Sequence, residues 1–232
     1  MALEPWGAEC RTGGPVSNEL IRALPPLPET ADEVRRVAAA LHASSNDVIL
    51  GDRVTKATLR GLSLDRYRVL YFATHGLLPG ELRCQSEPGL ALTPGLGEPE
   101  GSKDDALLVT TEISSWHLDA DLVVLSACNT AGEGKHLGGQ SLSGLAESFF
   151  FAGSRSVLAS HWQVESLSTV ALMSRLFEEL SQKPGRGVAQ ALRLAQLSLA
   201  SSRKTSHPYY WAAFTLIGNG SAHSAERADL DP

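Results

Sequence analysis

The sequence predicts an α/β protein, a mostly parallel sheet with helices on both faces. Three observations carry that expectation. Short apolar runs (RVLYFA at 68–73, LVVL at 122–125, VLA at 157–159) alternate with longer stretches of helical periodicity. The first two runs are almost wholly apolar, the pattern of strands covered on both faces rather than one. Each of these two is followed by a glycine-rich loop, and strands alternating with helical patterns indicate βαβ units.

In chain order, residues 1–29 hold five prolines and no sustained periodicity, so the segment to Leu24 is expected to be a disordered tail or linker. Thr30 and Glu33 form a capping-box pattern. Val34, Val37, Ala38 and Leu41 then share one helical face through about His42. Val48–Leu50 is expected as a short strand ended by Gly51, and Thr55–Leu62 as a short helix. Ten of the thirty residues from Gly76 to Asp105 are Gly or Pro, which restricts regular elements there to a turn or a hairpin. Thr111–Trp116 begins a short helix, and Ala131–Gly144 is the second glycine-rich loop. The amphipathic stretch Ser141–Ala152 closes on Gly153, placed to be its C′ residue. Leu167–Leu180 and Val188–Leu199 are two further helices, Trp211–Ile217 is a closing strand, and the chain past Gly220 is polar.

Composition narrows the function. The chain has 232 residues, 43% hydrophobic and 20% charged, enough for one substantial core. A net charge of −6 offers no cationic footprint for a phosphate backbone, so no direct nucleic-acid partner is expected. No apolar run reaches the roughly 18 residues of a membrane helix, and MALEPWGAEC lacks a signal-peptide pattern; a cytoplasmic chain without a membrane partner is expected. Three cysteines (Cys10, Cys84, Cys128) cannot all pair within the chain, which raises the question of a reactive thiol.

In open α/β sheets ligands bind beyond the carboxyl ends of the strands. There, RVLYFA ends in Thr74-His75-Gly76 and DLVVL ends in Ser126-Ala127-Cys128. A thiol is mostly protonated at ambient pH and needs a neighbouring base to become a nucleophile. His75 is placed to be that base. The backbone N–H groups of Gly76 and Cys128 are the candidate donors to the oxyanion of acyl transfer. His161, which also ends a strand, is the rival base. The same residues read structurally are a small buried cysteine and a structural histidine.

Four segments, FATHG at 72–76, ADLVVLSACNTA at 120–131, AESFFFAGSRSVLASHWQV at 146–164 and HPYYWAAFTLIGNG at 207–220, together resemble the CHAT domain. This is a caspase-like peptidase domain associated with tetratricopeptide repeats. The resemblance implies a caspase-like three-layer sandwich over residues 25–220, with a tail at 1–24 and another at 221–232. It also implies a cysteine endopeptidase in which His75 is the general base or acid and Cys128 the nucleophile. Their spacing of 53 residues is close to the roughly 50 of caspases. A protein substrate and tetratricopeptide-repeat segments, in cis or in trans, are the implied partners. CHAT domains usually begin with a further strand and a Leu-Pro-Phe segment that residues 1–23 do not reproduce, so the domain is expected to be shortened or part of a larger protein. That departure motivates the alternative, a non-catalytic caspase-fold scaffold or regulatory module. The family analogy puts Trp162 near a substrate wall. Where the family carries two acids after its Trp-x-Val segment, this chain has Glu165 and Ser166. Glu165 either lines the pocket for the residue before the cut bond, where it would favour Lys or Arg, or starts the following helix, where a carboxylate suits the dipole.

No cofactor or metal is expected. Gly132-Glu133-Gly134-Lys135 lacks the spacing of a phosphate loop. No Cys-x-x-Cys or His-x-x-x-His pair brings Cys84, His117, Cys128 and His136 to ligand spacing. An esterase or other hydrolase using Ser126 or Ser141 is a poor fit, since the chain has no Gly-x-Ser-x-Gly elbow.

Overall fold

A computed structural model describes residues 16–95, 106–127, 141–162, 165–183 and 185–221. The chain opens with α1 (Asn18–Arg22), α2 (Glu29–Ala40), α3 (Lys56–Arg60), β1 (Val69–Ala73), β2 (Gly76–Leu77), β3 (Gly89–Ala91) and β4 (Leu107–Val109). It continues with α4 (Thr110–Ser114), β5 (Leu122–Ser126), α5 (Ser141–Phe151), β6 (Ser156–Ser160), α6 (Ser166–Gln182), α7 (Val188–Ala200) and β7 (Phe214–Gly218).

The main sheet has the order β1-β5-β6-β7. β1, β5 and β6 run parallel, and β7 returns antiparallel to β6. Helices cover both faces, as a parallel sheet requires. Leu122, Val124 and Leu158 point to the face covered by α2, α6 and α7, where they meet Val37, Leu172, Phe177 and Ala191. The alternate residues Val123, Leu125 and Val157 meet Leu145 and Phe149 of α5, Ile113 of α4 and Leu59 of α3 on the other face. This is the three-layer, caspase-like sandwich. A small antiparallel sheet, β2-β3-β4, sits in the glycine-rich stretch after β1.

Several elements differ from the sequence reading. Val48–Leu50 forms no strand: it lies between 3₁₀ turns at Ser45–Asp47 and Gly51–Arg53, and three apolar residues make no ladder without a hydrogen-bonded neighbour. The RVLYFA run does not become a strand buried on both faces. β1 is the sheet's outer strand among the described residues, and only Leu70 of it is fully buried, whereas every residue of β5 and β6 is. The expected disorder up to Leu24 gives way, from Val16 on, to α1, with Val16 and Ile21 packed beside Leu77, Ala91 and Leu107. The Thr30/Glu33 capping box is absent: Thr30 donates to Leu27 O at 2.7 Å, α2 starts without a side-chain cap, and Glu33 turns inward to accept from Tyr71.

Gly153 ends α5 as expected, with φ 112°. A Cβ there would sit 2.2 Å from the Leu118 carbonyl oxygen, where the incoming strand-5 connection crosses the helix end. Gly153→Ala combines backbone strain with a main-chain collision and should cost about 2–4 kcal/mol. Urea unfolding checks this, and a loss below about 1 kcal/mol would contradict the geometry.

Candidate active site

The β1-β5 ladder places the two candidate segments side by side. Ala73 is registered opposite Ser126. His75 follows Ala73 by two residues, and Cys128 follows Ser126 by two. Cys128 itself lies outside the described residues.

His75 is held by contacts on both sides. Its backbone carbonyl accepts from Ala91 N at 2.9 Å, joining it to the start of the small sheet, while Thr74 Oγ1 donates to Ala91 O. Its ring Nε2 lies 2.7 Å from the carbonyl oxygen of Pro25. A carbonyl only accepts, so Nε2 carries the proton and Nδ1 the lone pair. Pro25 thus orients the imidazole in the way a third group orients the base of a catalytic triad. Because Ala91 N–H bonds to His75 O, Gly76 and Leu90 form a non-hydrogen-bonded pair of the antiparallel ladder, and the Gly76 N–H points away from β3.

A cleft opens at this edge between α2, α6 and the ends of β1, β5 and β6. It is open to solvent and has a volume of about 50 Å³. Thr74 and Ala127, the residues immediately before His75 and Cys128, both line it. Trp162 forms part of the wall, with its indole Nε1 donating to Tyr209 O at 3.2 Å. Ser160 Oγ donates to Ala127 O at 2.6 Å and ties the end of β6 to the end of β5.

On the cleft side of α2, Glu33 is only 3% exposed. The Tyr71 hydroxyl donates to Glu33 Oε1, and the Ser126 hydroxyl also bonds its carboxyl. Burial raises the Glu33 pKa above its ordinary 4.5, and the hydrogen bonds from Ser126 and Tyr71 offset this only in part. The Tyr71 hydroxyl is pushed up by its own burial and by the neighbouring carboxylate.

Glu165 stands apart from the cleft lining. It is the N-cap of α6, accepting from Leu167 N at 3.2 Å and from Ser168 N and Oγ at 2.8 Å. Its slight burial raises the pKa, and the bonds from Ser168 and Leu167 outweigh that and lower it. His161 is engaged on the far flank of β5, with Nε2 2.9 Å from Thr215 Oγ1 of β7. Cys84, in the loop between β2 and β3 with φ 66°, is disulfide-bonded; Cys10, like Cys128, lies outside the described residues. No cluster of three or more His, Cys, Asp or Glu able to hold a metal occurs among the described residues.

Pro25, Glu33, Tyr71 and Ser126 are the site residues that sequence reasoning missed. A backbone carbonyl has no sequence signature, and Pro25 fell in a segment read as the border of a tail. Glu33 had one: it lies in line with Val37 and Ala40 on the apolar stripe of α2, an unusual place for an unpaired acid.

The sequence model of the CHAT domain matches residues 13–219. The chain belongs to the CHAT-domain family. Two curated relatives are both named tetratricopeptide repeat protein 28. The one from Mus musculus is 26% identical over 84% of this chain and 9% of its own length. The one from Homo sapiens is 25% identical over 84% of this chain and 8% of its own length. This CHAT chain therefore spans less than a tenth of the relatives it matches. No helix among its described residues is long and apolar enough to cross a membrane.

Glu33 makes the stability of this CHAT domain depend on pH. Its folded pKa lies above the unfolded one, so the folded state binds the proton more tightly, and the stabilisation is fully present below about pH 4.5 and lost as pH rises through the folded value. Glu33→Gln keeps the acceptor for Tyr71 and cannot ionise. Its stability relative to the parent chain should therefore rise with pH between about 4 and 8 in urea unfolding, and a pH-independent difference would contradict the burial argument.

Proposed function

We propose that the chain is a caspase-like cysteine endopeptidase, with His75 as base and Cys128 as nucleophile. The observation that carries the reading is the 2.7 Å contact from Pro25 O to His75 Nε2, which leaves Nδ1 as the proton acceptor at the edge where β1 and β5 end together. In the first step the Cys128 thiol gives its proton to Nδ1 and its sulfur bonds the scissile carbonyl carbon. The negative charge moves to the carbonyl oxygen, which accepts from the Gly76 and Cys128 N–H groups. Collapse returns the proton from His75 to the departing amine and leaves a thioester. Water then attacks the thioester, its proton passing to Nδ1 and on to the sulfur as the acid is released.

The substrate in this reading is a protein, reached in the cytoplasm and presented through tetratricopeptide-repeat segments like those in the relatives' names. Thiols stay reduced in that compartment. An activity test therefore runs with and without reductant, since Cys84 is disulfide-bonded. With an acyloxymethyl ketone probe and a peptide library, Cys128→Ala and His75→Ala should each lower turnover by roughly 10³-fold or more. A folded, reduced chain that neither labels at Cys128 nor cleaves any peptide would overturn the proposal.

One observation favours a second reading, a scaffold without turnover. β1 pairs on one side only among the described residues, and a largely apolar groove of about 440 Å³ runs between it, α2 and residues 48–50. A scaffold would keep its biological activity in Cys128→Ala and lose it on a groove substitution such as Val34→Glu; the reverse pattern supports the peptidase.

A further inference from the structure

We infer that the gap between β1 and residues 48–50 docks an extended, apolar, uncharged polypeptide segment of a partner protein as a further strand of the main sheet. That docking does not depend on the chemistry at the carboxyl edge.

β1 has an unfilled edge. Arg68 O accepts from Leu122 N at 3.2 Å, and along a strand the backbone groups of successive residues face opposite sides. Arg68, Leu70 and Phe72 therefore face β5. Val69, Tyr71 and Ala73 turn their N–H and C=O groups to the other side, where no described backbone group pairs with them. Across the gap, Val48 (φ −97°, ψ 102°) and Leu50 (φ −135°, ψ 154°) have extended backbones and no ladder partner among the described residues. Such edges take up another strand through main-chain hydrogen bonds.

The layers on either side continue past β1. Val34, Ala38 and Leu41 of α2 line the gap on the face of the sheet that carries Val69 and Tyr71, and Leu41 is left 37% exposed. Leu59, Leu62 and Leu64 line it on the face of Leu70 and Phe72. A strand between two such layers is covered on both faces, so its apolar run is continuous, as in β5. The gap holds about 440 Å³. Charge points the same way. Asp47, which accepts from the Tyr67 hydroxyl at 3.0 Å, is the one charged side chain on the described lining, so a charged segment would lose its hydration for little return.

Other occupants fit less well. A second copy brings its β1 already set between its own α2 and α3 layers, which would collide with these. The chain's own longer segments outside the described residues (1–15, 96–105, 128–140 and 222–232) hold no four consecutive apolar residues, and glycine, proline or charge interrupts each.

The test follows amide hydrogen exchange by NMR in the isotope-labelled full chain. Its probes are the peptide Lys-Gly-Val-Leu-Val-Ile-Val-Gly-Lys, the same peptide N-methylated throughout its apolar run, and a version in which that run reads Val-Asp-Val-Asp-Val. In the chain alone the amides of Val69, Tyr71 and Ala73 should exchange fast, while those of Leu70 and Phe72 are protected. The first peptide, at a free concentration about 100 times its Kd, should slow those three by up to roughly 100-fold. The N-methylated and Asp peptides should not slow them. Val34→Glu should weaken the first peptide roughly 10-fold or more, and Leu41→Glu, at the exposed rim and mild for the fold, by a smaller factor. Cys128→Ala should bind it as the parent chain does. Four results would each overturn the docking site: no slowing at the three amides, equal binding of the N-methylated peptide, protection already present in the dilute chain alone, which assigns the gap to the chain's own residues, and protection that grows with chain concentration, which assigns it to a second copy.

Discussion

The parallel ladder between β1 and β5 is the constraint on which everything at the cleft depends. Pairing Val69 to Ala73 with Leu122 to Ser126 brings two chain segments, about fifty residues apart in sequence, to the same level of one edge. Because side chains alternate along a strand, a slip of one residue would exchange the two faces of the sheet. Leu122 and Val124 would leave the α6 and α7 layer, and Ser126 would leave Glu33. The register is thus held by the burial of β5 on both sides, where all five residues are buried. Arg68, Asp121 and Arg155 tie the opposite, amino-terminal edge, where each directly precedes a strand.

Polar groups at the carboxyl edge are connected in pairs across elements rather than within them. Pro25 reaches His75, Tyr71 and Ser126 reach Glu33, and Ser160 reaches Ala127. The buried ones among them, at Glu33 and Ser160, add little net stability when satisfied and cost about 1–3 kcal/mol when orphaned. Their effect is to fix positions. The imidazole is oriented by a backbone carbonyl that cannot titrate, so its tautomer does not depend on the protonation of a neighbouring acid. The buried acid at this edge, Glu33, instead lines the cleft.

Much of this was legible in the sequence. The runs at 122–125 and 157–159 become β5 and β6, the periodic stretches become α5, α6 and α7, and the edge carrying His75 follows from strand alternation alone. What was not legible depended on pairing between distant segments. Val48–Leu50 has strand composition, but a strand exists only with a neighbour, and none among the described residues pairs with it. The run RVLYFA has the composition of a central strand, yet its place in the sheet is decided by the order of the other strands. Thr30 and Glu33 fit a capping box locally; the tertiary demand of Tyr71 and Ser126 overrode it. Glu165 went the other way, with its local role at a helix start describing it better than a distant pocket does.

The central claim is that the imidazole of His75 reaches the strand edge already oriented by Pro25. Nitrogen NMR of the chain labelled at histidine tests it most directly, because protonated and unprotonated ring nitrogens resonate far apart. At a pH where the ring is neutral, the account predicts that His75 carries its proton on Nε2 and leaves Nδ1 bare. A ring protonated on Nδ1, or one exchanging evenly between the two tautomers, would contradict it.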